Sequence, residues 1–391
     1  AGVEDVDVEL EGQSPQGQSF NFADISDDQG YFGFTKAVPQ MSNFTVTPTK
    51  DDNPLNGVST YDLVLISKHI LGLEPLSSPY KMIAADANKS GSITTFDIVE
   101  VRKLILGIYT DLPNNTSWRF VDKSFAFPNM DNPFETSFPE TKSAAGVNAH
   151  LMNNDFVGIK VGDVNGTAIP SALISADDRS NGELLIDVED RSVKAGEVFT
   201  VNFKAAEKVL GYQFTLNLKN VEVVEMLPGT NMTEGNFGVF GDAITTSVNG
   251  DASEFGVTFR AKRGGRLSEM LSISSRITKA EAYSKGAERM GVALRYSTGQ
   301  VAGVGFEVYQ NQPNPWVNKT VIGFHIPEAT DVTLTIFDET GRMLHQETGD
   351  YAAGYNAFML DRALVNTTGV LYYKVETSTD SAVKSMIQTK E

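Results

Sequence analysis

An internal duplication limits what this sequence can fold into. VSTYDLV at residues 58–64 returns as ITTFDIV at 93–99, and ILGL at 70–73 returns as ILGI at 105–108, each shifted by 35 positions. Both copies read as a polar loop feeding a helix. Leu63, Ile66 and Ile70 in the first copy correspond to Ile98, Val101 and Ile105 in the second. That spacing puts each trio on one helical face, so the two helices are expected to pack on one another. Gly72 and Gly107 fall where a helix end favours a left-handed residue.

The loop before the second helix, DANKSGSITTFD at residues 86–97, carries chemistry. Asp86, Asn88, Ser90, Thr94 and Asp97 hold its first, third, fifth, ninth and twelfth places, with Ser92 between them and Gly91 at the sharp turn. Hard oxygen donors so placed form the EF-hand arrangement around Ca²⁺, here with Asp instead of Glu in the last place. The competing reading is a plain helix N-cap turn.

The first loop departs from this pattern. Asn56, Ser59 and Asp62 supply candidate ligands for a second half, but no D-x-N opening precedes them cleanly. Asp51 and Asn53 could serve through a distorted loop. Alternatively, Asp163 and Asn165 in GDVNG (162–166) look like an opening half with no second half behind it. A split site would dock Asp163 and Asn165 beside Asn56, Ser59 and Asp62, which requires the two ends of the domain to meet, as domain termini often do. Otherwise GDVNG is a turn ending a strand. The expectation is therefore one or two Ca²⁺ ions.

The duplicated segment, with one helix after each loop and Asp closing it, resembles a type I dockerin over residues 49–168. It departs from that family by an insertion at 109–161, whose aromatics, among them Trp118 and Phe120, are expected to pack over the helix pair. The insertion puts the usual mode of cohesin binding in doubt.

The rest of the chain reads as a mostly β, multidomain protein of β-sandwich modules around that one helix pair. In residues 1–48, Val6, Val8 and Leu10 alternate, DDQGYFGF (27–34) gives a turn and a strand, and FTVTP (44–48) closes with a strand stopped by proline. The order resembles carboxypeptidase-regulatory-like repeat modules, with the opening strand missing, so the chain is expected to be part of a longer secreted precursor. Residues 169–182 are breaker-rich and read as a linker. Over 183–300, strands recur at Leu184/Ile186/Val188, Phe199/Val201/Phe203, Tyr212/Phe214/Leu216/Leu218, Phe255/Val257/Phe259 and Leu271/Ile273. VKAGEVFTVNF (193–203) followed by GYQFTLNL (211–218) resembles cohesin-type sandwiches.

Residues 306–391 read as a small all-β domain: a Pro313-Asn314-Pro315 turn, alternation at Val321–Ile326 and Val332–Ile336, a turn at Asp338–Gly341, and a strand after Gly369. The order QNQPNP, a strand with Thr320, Ile322 and Phe324, then VTLTIFDETGR, GVLYYKVET and a lysine-bearing tail is similar to the C-terminal sorting domain of type IX secretion cargo from Bacteroidetes. That resemblance implies recognition through Pro313, Asn314, Pro315, Gly341, Gly369, Tyr372, Lys374 and Lys384. It also implies partners: a PorV-type outer-membrane shuttle barrel, an SprA-type translocon barrel, and a surface sortase-like peptidase cutting within Ser297–Gly305. Strand edges and turn residues would be recognised, with backbone pairing supplying affinity.

Composition excludes several functions. A net charge of −18 argues against nucleic acid and anionic membranes as partners. The absence of cysteine excludes disulfides, Cys-ligated zinc and a thiol nucleophile. No apolar run is long enough for a transmembrane helix. His69, His150, His325 and His345 form no ligand motif, and no nucleophile elbow, phosphate loop or dinucleotide fingerprint occurs. The expectation is a non-enzymatic, adhesin-like region of a secreted surface protein. The alternative is a dockerin/cohesin scaffold that assembles polysaccharide-degrading enzymes.

Overall fold

The computed structural model describes residues 2–34, 38–148, 151–152, 154–171 and 182–390. His150 and most of the expected linker lie outside the described residues. The chain is mostly β and divides into two compact units: Ala1–Leu104 with Tyr109–Ser175, and Ile105–Ile108 with Ala176–Glu391.

In the first unit, an antiparallel sheet runs in the order Ser19–Ile25, Asp7–Gln13, Ser42–Thr49, Lys142–Val147. Its last strand comes from the insertion, so residues 1–48 are not a self-contained module. The core is shared in the same way: Trp118 and Phe120 join Val6, Val8, Leu10 and Val46. This corrects the expectation that these aromatics cover the helices. Both lie on Trp118–Asp122, a strand paired with Phe156–Lys160. The turn at Asp27 forms, its carboxylate accepting from the amides of Gln29 and Tyr31, but no strand follows at 31–34. There the Gly33 amide donates to the Asp24 side chain instead of to a ladder partner. The closing strand runs on through Pro48 to Thr49.

Three helices complete the unit's elements: α1 (Thr60–Ile70), α2 (Pro79–Ala85) and α3 (Thr95–Ile105). Ser59 and Asp62 form a capping box on α1, each bonding the other's backbone end. α2 escaped the sequence reading, although Ser78 as N-cap and Pro79 in the first turn are its written signals. Leu63, Ile66, Ile98, Val101 and Ile105 are buried, and Gly72 and Gly107 take φ of +68° and +71° beyond the helix ends.

In the second unit, one large sheet curls through Val221–Leu227, Glu254–Ala261, Val198–Ala205, Glu183–Val188, Arg289–Tyr296, Glu281–Tyr283, Gly211–Leu218 and Ala243–Asn249. The first and last long strands, Glu183–Val188 and Arg289–Tyr296, pair in parallel. Alternation in Val198–Ala205 is complete, with Phe199, Val201 and Phe203 all buried. The unit also holds a terminal sandwich. One sheet is Glu307–Val308, Lys319–Ile326 and Gly354–Asp361; the other is Met343–Tyr351, Thr330–Asp338, Gly369–Glu376 and Ser381–Gln388. Ile322, Phe324, Val332, Leu334, Tyr373 and Trp316 fill the space between them.

Candidate metal centres

The continuous loop wraps its own carboxylates in backbone amides. Asp86 accepts from the amides of Ser90 at 2.8 Å and Gly91 at 2.9 Å. The Asn88 side-chain oxygen accepts from Ser90 N at 3.0 Å, and the Ser90 hydroxyl donates to the Ser92 carbonyl at 3.3 Å. At the helix end, Asp97 Oδ2 accepts from Thr94 N at 2.8 Å and Thr94 Oγ1 at 3.2 Å, while its Oδ1 accepts from Asn88 N at 3.2 Å. Lys89 and Gly91 have φ of +57° and +77°, which folds the chain back over the enclosed oxygens. Asp86 and Asp97 are both buried.

A closely similar set of bonds occurs at a second place, built from two distant segments. Asp163 accepts from the amides of Gly166 at 2.7 Å, Thr167 at 3.2 Å and Ala168 at 2.7 Å. The Asn165 side-chain oxygen accepts from Thr167 N at 3.0 Å, and the Thr167 hydroxyl crosses to the Gly57 carbonyl at 3.0 Å. Asp62 Oδ2 accepts from Ser59 N at 2.9 Å and Ser59 Oγ at 3.2 Å. Its Oδ1 accepts from Val164 N at 2.9 Å and Asn165 N at 3.1 Å. Residues 163–168 therefore stand where 86–91 stand, and 57–62 where 92–97 stand. The break falls between Ala168 and Gly57, so close that a Cβ on Gly57 would lie 2.4 Å from Ala168 N.

Of the sequence candidates, Asp163 and Asn165 thus lie with Ser59 and Asp62. Asn56 does not join them. Its oxygen accepts from Ile169 N at 2.9 Å and its amide donates to Ile169 O at 2.8 Å, so it staples the returning chain. That corrects its assignment as a ligand. Asp51 also serves elsewhere, accepting from Ser117 N at 2.7 Å. The sequence reading missed Gly57 and Thr167, the counterparts of Ser92 and Ser90.

One carboxyl of each loop is held above its ordinary range. Burial, with the Asp163 carboxylate beside it, pushes Asp62 up to about 7. Burial raises Asp97 as well, against the bonds from Thr94 and Asn88, and the Asp86 charge adds to the rise. Near the split loop, Lys160 is buried with its amine 2.7 Å from the Pro54 carbonyl; burial lowers it to about 8 against the pull of Asp163, Asp52, Asp62 and Asp51. The donor set of each loop consists of carboxylate, amide, hydroxyl and carbonyl oxygens, which fits a hard divalent cation. Among the described residues, no three His, Cys, Asp or Glu gather about one point. Each loop thus offers two carboxylates plus neutral oxygens.

The residues expected to form a sorting signal are not gathered in one place. Pro313 O accepts from the Asn311 amide and the Thr320 hydroxyl, and Asn314 Oδ1 accepts from Ile387 N at 2.9 Å, so this turn is tied into the sandwich. Gly341 sits in the Asp338 turn with φ of +83°, and Gly369 starts its strand with φ of +115°. Tyr372 is exposed opposite Ser385, and Lys374 pairs with Glu376, while Lys384 lies opposite buried Tyr373 on the other face. Pro315 is exposed beside the turn. Elsewhere, His69 Nδ1 accepts from Leu76 N and His325 meets the Gly305 carbonyl, both structural contacts.

No family model matches this chain. No curated protein matches it either. Similar solved structures include the type I cohesin–dockerin complex Coh-OlpC-Doc435 from Clostridium thermocellum, with 13% identity over 32% of this chain and 95% of that one, at a TM-score of 0.24. A non-cellulosomal cohesin from Archaeoglobus fulgidus shares 20% identity over 32% of this chain and 92% of its own, at 0.21. Dimeric latent PorU from Porphyromonas gingivalis shares 10% identity over 61% of this chain and 36% of its own, also at 0.21.

Proposed function

We propose that this chain is a non-catalytic region of a secreted cell-surface protein, adhesin-like in kind, whose residues 306–391 are its address for type IX secretion. The partners of that address are a PorV-type shuttle barrel and an SprA-type translocon barrel. The observation that carries the reading is the terminal sandwich itself. The QNQPNP run, the Thr320 strand and the final strands, which stand in this order in the sequence, are joined there by Asn311, which donates to Pro313 O and Thr320 Oγ1 at 3.0 Å, and by Tyr373, which donates to Tyr309 O at 2.8 Å.

In the same reading, Asp86, Asn88, Ser90, Ser92, Thr94 and Asp97 hold one Ca²⁺, and Asp163, Asn165, Thr167, Gly57, Ser59 and Asp62 hold a second. Bound calcium would supply the divalent charge that two buried carboxylates lack. The residues orient for it: amides fix both oxygens of each Asp, and burial excludes water from one side. Two carboxylates per site is a low charge count, in keeping with weak extracellular sites of roughly 10⁻⁴–10⁻³ M. Calcium outside the cell would then favour the folded first unit after export, by mass action.

Export tests the address. Residues 299–391 fused behind a signal peptide and a fluorescent protein are expected outside a Bacteroidetes host only when its type IX translocon is intact. Fluorescence held in the periplasm of both strains would reduce this domain to an ordinary sandwich and favour the scaffold function.

A further inference from the structure

The split loop depends on a delivery arm. Residues 163–168 follow the strand Phe156–Lys160, which pairs with Trp118–Asp122 from Trp118↔Lys160 to Asp122↔Phe156. As the chain leaves this pair, Val161 N donates to Ser117 O at 3.0 Å and Gly162 N to the α2 carbonyl of Ala84 at 2.8 Å. Val161 and Val164 are fully buried, and the Lys160 amine is held by Pro54 O. The insertion thus brings half a cation loop back to its other half across more than a hundred residues of chain (Val164 to Asp62). The continuous loop at 86–97 needs no such return.

We infer that the split loop is a calcium-operated clasp: occupancy of Asp62 and Asp163 holds residues 57–62 and 163–168 together, and the insertion is the arm that makes the clasp possible. The inference rests on reading both loops as calcium sites. Binding and closure are linked reciprocally, since an ion that needs both halves must favour the state in which they meet. The cost of closing a segment grows with its length. The split loop therefore fills at higher calcium than the continuous loop, and its filling, not that of the other, protects the insertion.

The test titrates calcium into the full chain and into Asp86→Ala, Asp163→Ala and Gly57→Val. Bound ions are counted by calorimetry. Amide exchange at Val164 and Asn165, and tryptic cutting after Lys123 and Lys142, are followed at each concentration. The native chain should bind two ions, the second at roughly tenfold higher calcium or more. The second event should slow both exchange and cutting by about the same factor, as expected where opening limits access. Asp86→Ala keeps that second event and Asp163→Ala loses it. Gly57→Val leaves every ligand side chain in place but wedges the halves apart, and loses it too, which guards against a mere folding defect in Asp163→Ala. Calcium-dependent protection that survives in Asp163→Ala and Gly57→Val overturns the clasp while leaving the continuous site intact. Absence of any bound ion in the native chain overturns the calcium reading of both loops, and the clasp with it.

Discussion

Asp62 shows how far burial beside a like charge moves a single carboxyl. Burial and Asp163 hold it near 7 in the folded chain, against an ordinary 3.8. Because the folded value is the higher one, the folded state loses ground as pH rises from about 4 toward 7 and no further above that. The cation-free chain should accordingly be more stable at pH 5 than at pH 8, by on the order of 1.4 kcal/mol per pH unit within that window. If the split loop holds calcium as proposed, the ion takes the carboxylate form, and the rise in Tm on adding calcium should be larger at pH 8 than at pH 5. Thermal melts in chelator and in calcium at the two pH values check this, and an equal or smaller shift at pH 8 would count against it. Glycines give a second contrast. At Gly91 nothing lies within 4 Å of an added Cβ, so Gly91→Ala meets only the strain of φ +77°, about 1 kcal/mol, and should keep its ion. Gly57 abuts Ala168, and any side chain there pushes the two halves apart.

At the scale of elements, the last strand is informative. Ser381–Gln388 pairs on one side with Gly369–Glu376, and its other side is covered near the end by the segment 310–316. Gln310 donates to Ser385 O at 2.7 Å, Asn314 accepts from Ile387 N, and Trp316 N donates to Ile387 O at 3.0 Å. Covering an edge satisfies its amides and removes a site for unwanted pairing. Trp316 is 1% exposed and anchors this strap in the core. Trp316→Ala should cost the terminal sandwich about 3–5 kcal/mol, and Asn314→Ala about 1 kcal/mol, both read by denaturant unfolding. Equal effects of the two would mean that the strap is held by its polar bonds rather than by the indole. The strap also explains why the Pro-Asn-Pro turn was legible in sequence while its role was not: turn chemistry is local, and the strand it covers lies more than seventy residues away.

For the whole molecule, both candidate calcium loops belong to the first unit. Chelation should therefore speed amide exchange across 57–62, 86–97 and 163–168 and leave the sandwich strands between Glu183 and Tyr296 unchanged; exchange followed by mass spectrometry would show whether it does. Local features were legible from the residues alone. The 35-residue repeat specified two helices because the cap and apolar stripe of each fall within a few turns of one another. Alternation specified the sandwich strands for the same reason, as in Phe199, Val201 and Phe203. Where satisfaction came from a distant partner, sequence alone did not decide: Asn56 looked like a ligand but bonds Ile169, and Trp118 and Phe120 looked like a cover for the helices but fill the N-terminal sheet's core. The choice between Asp51 and Asp163 as the neighbour of the first loop waited on the folded chain, where Asp51 bonds Ser117 and residues 163–168 meet 57–62. The physical reason is that a carboxylate is placed by the amides that reach it, and those of Val164 and Asn165 reach Asp62 only after the insertion has folded back.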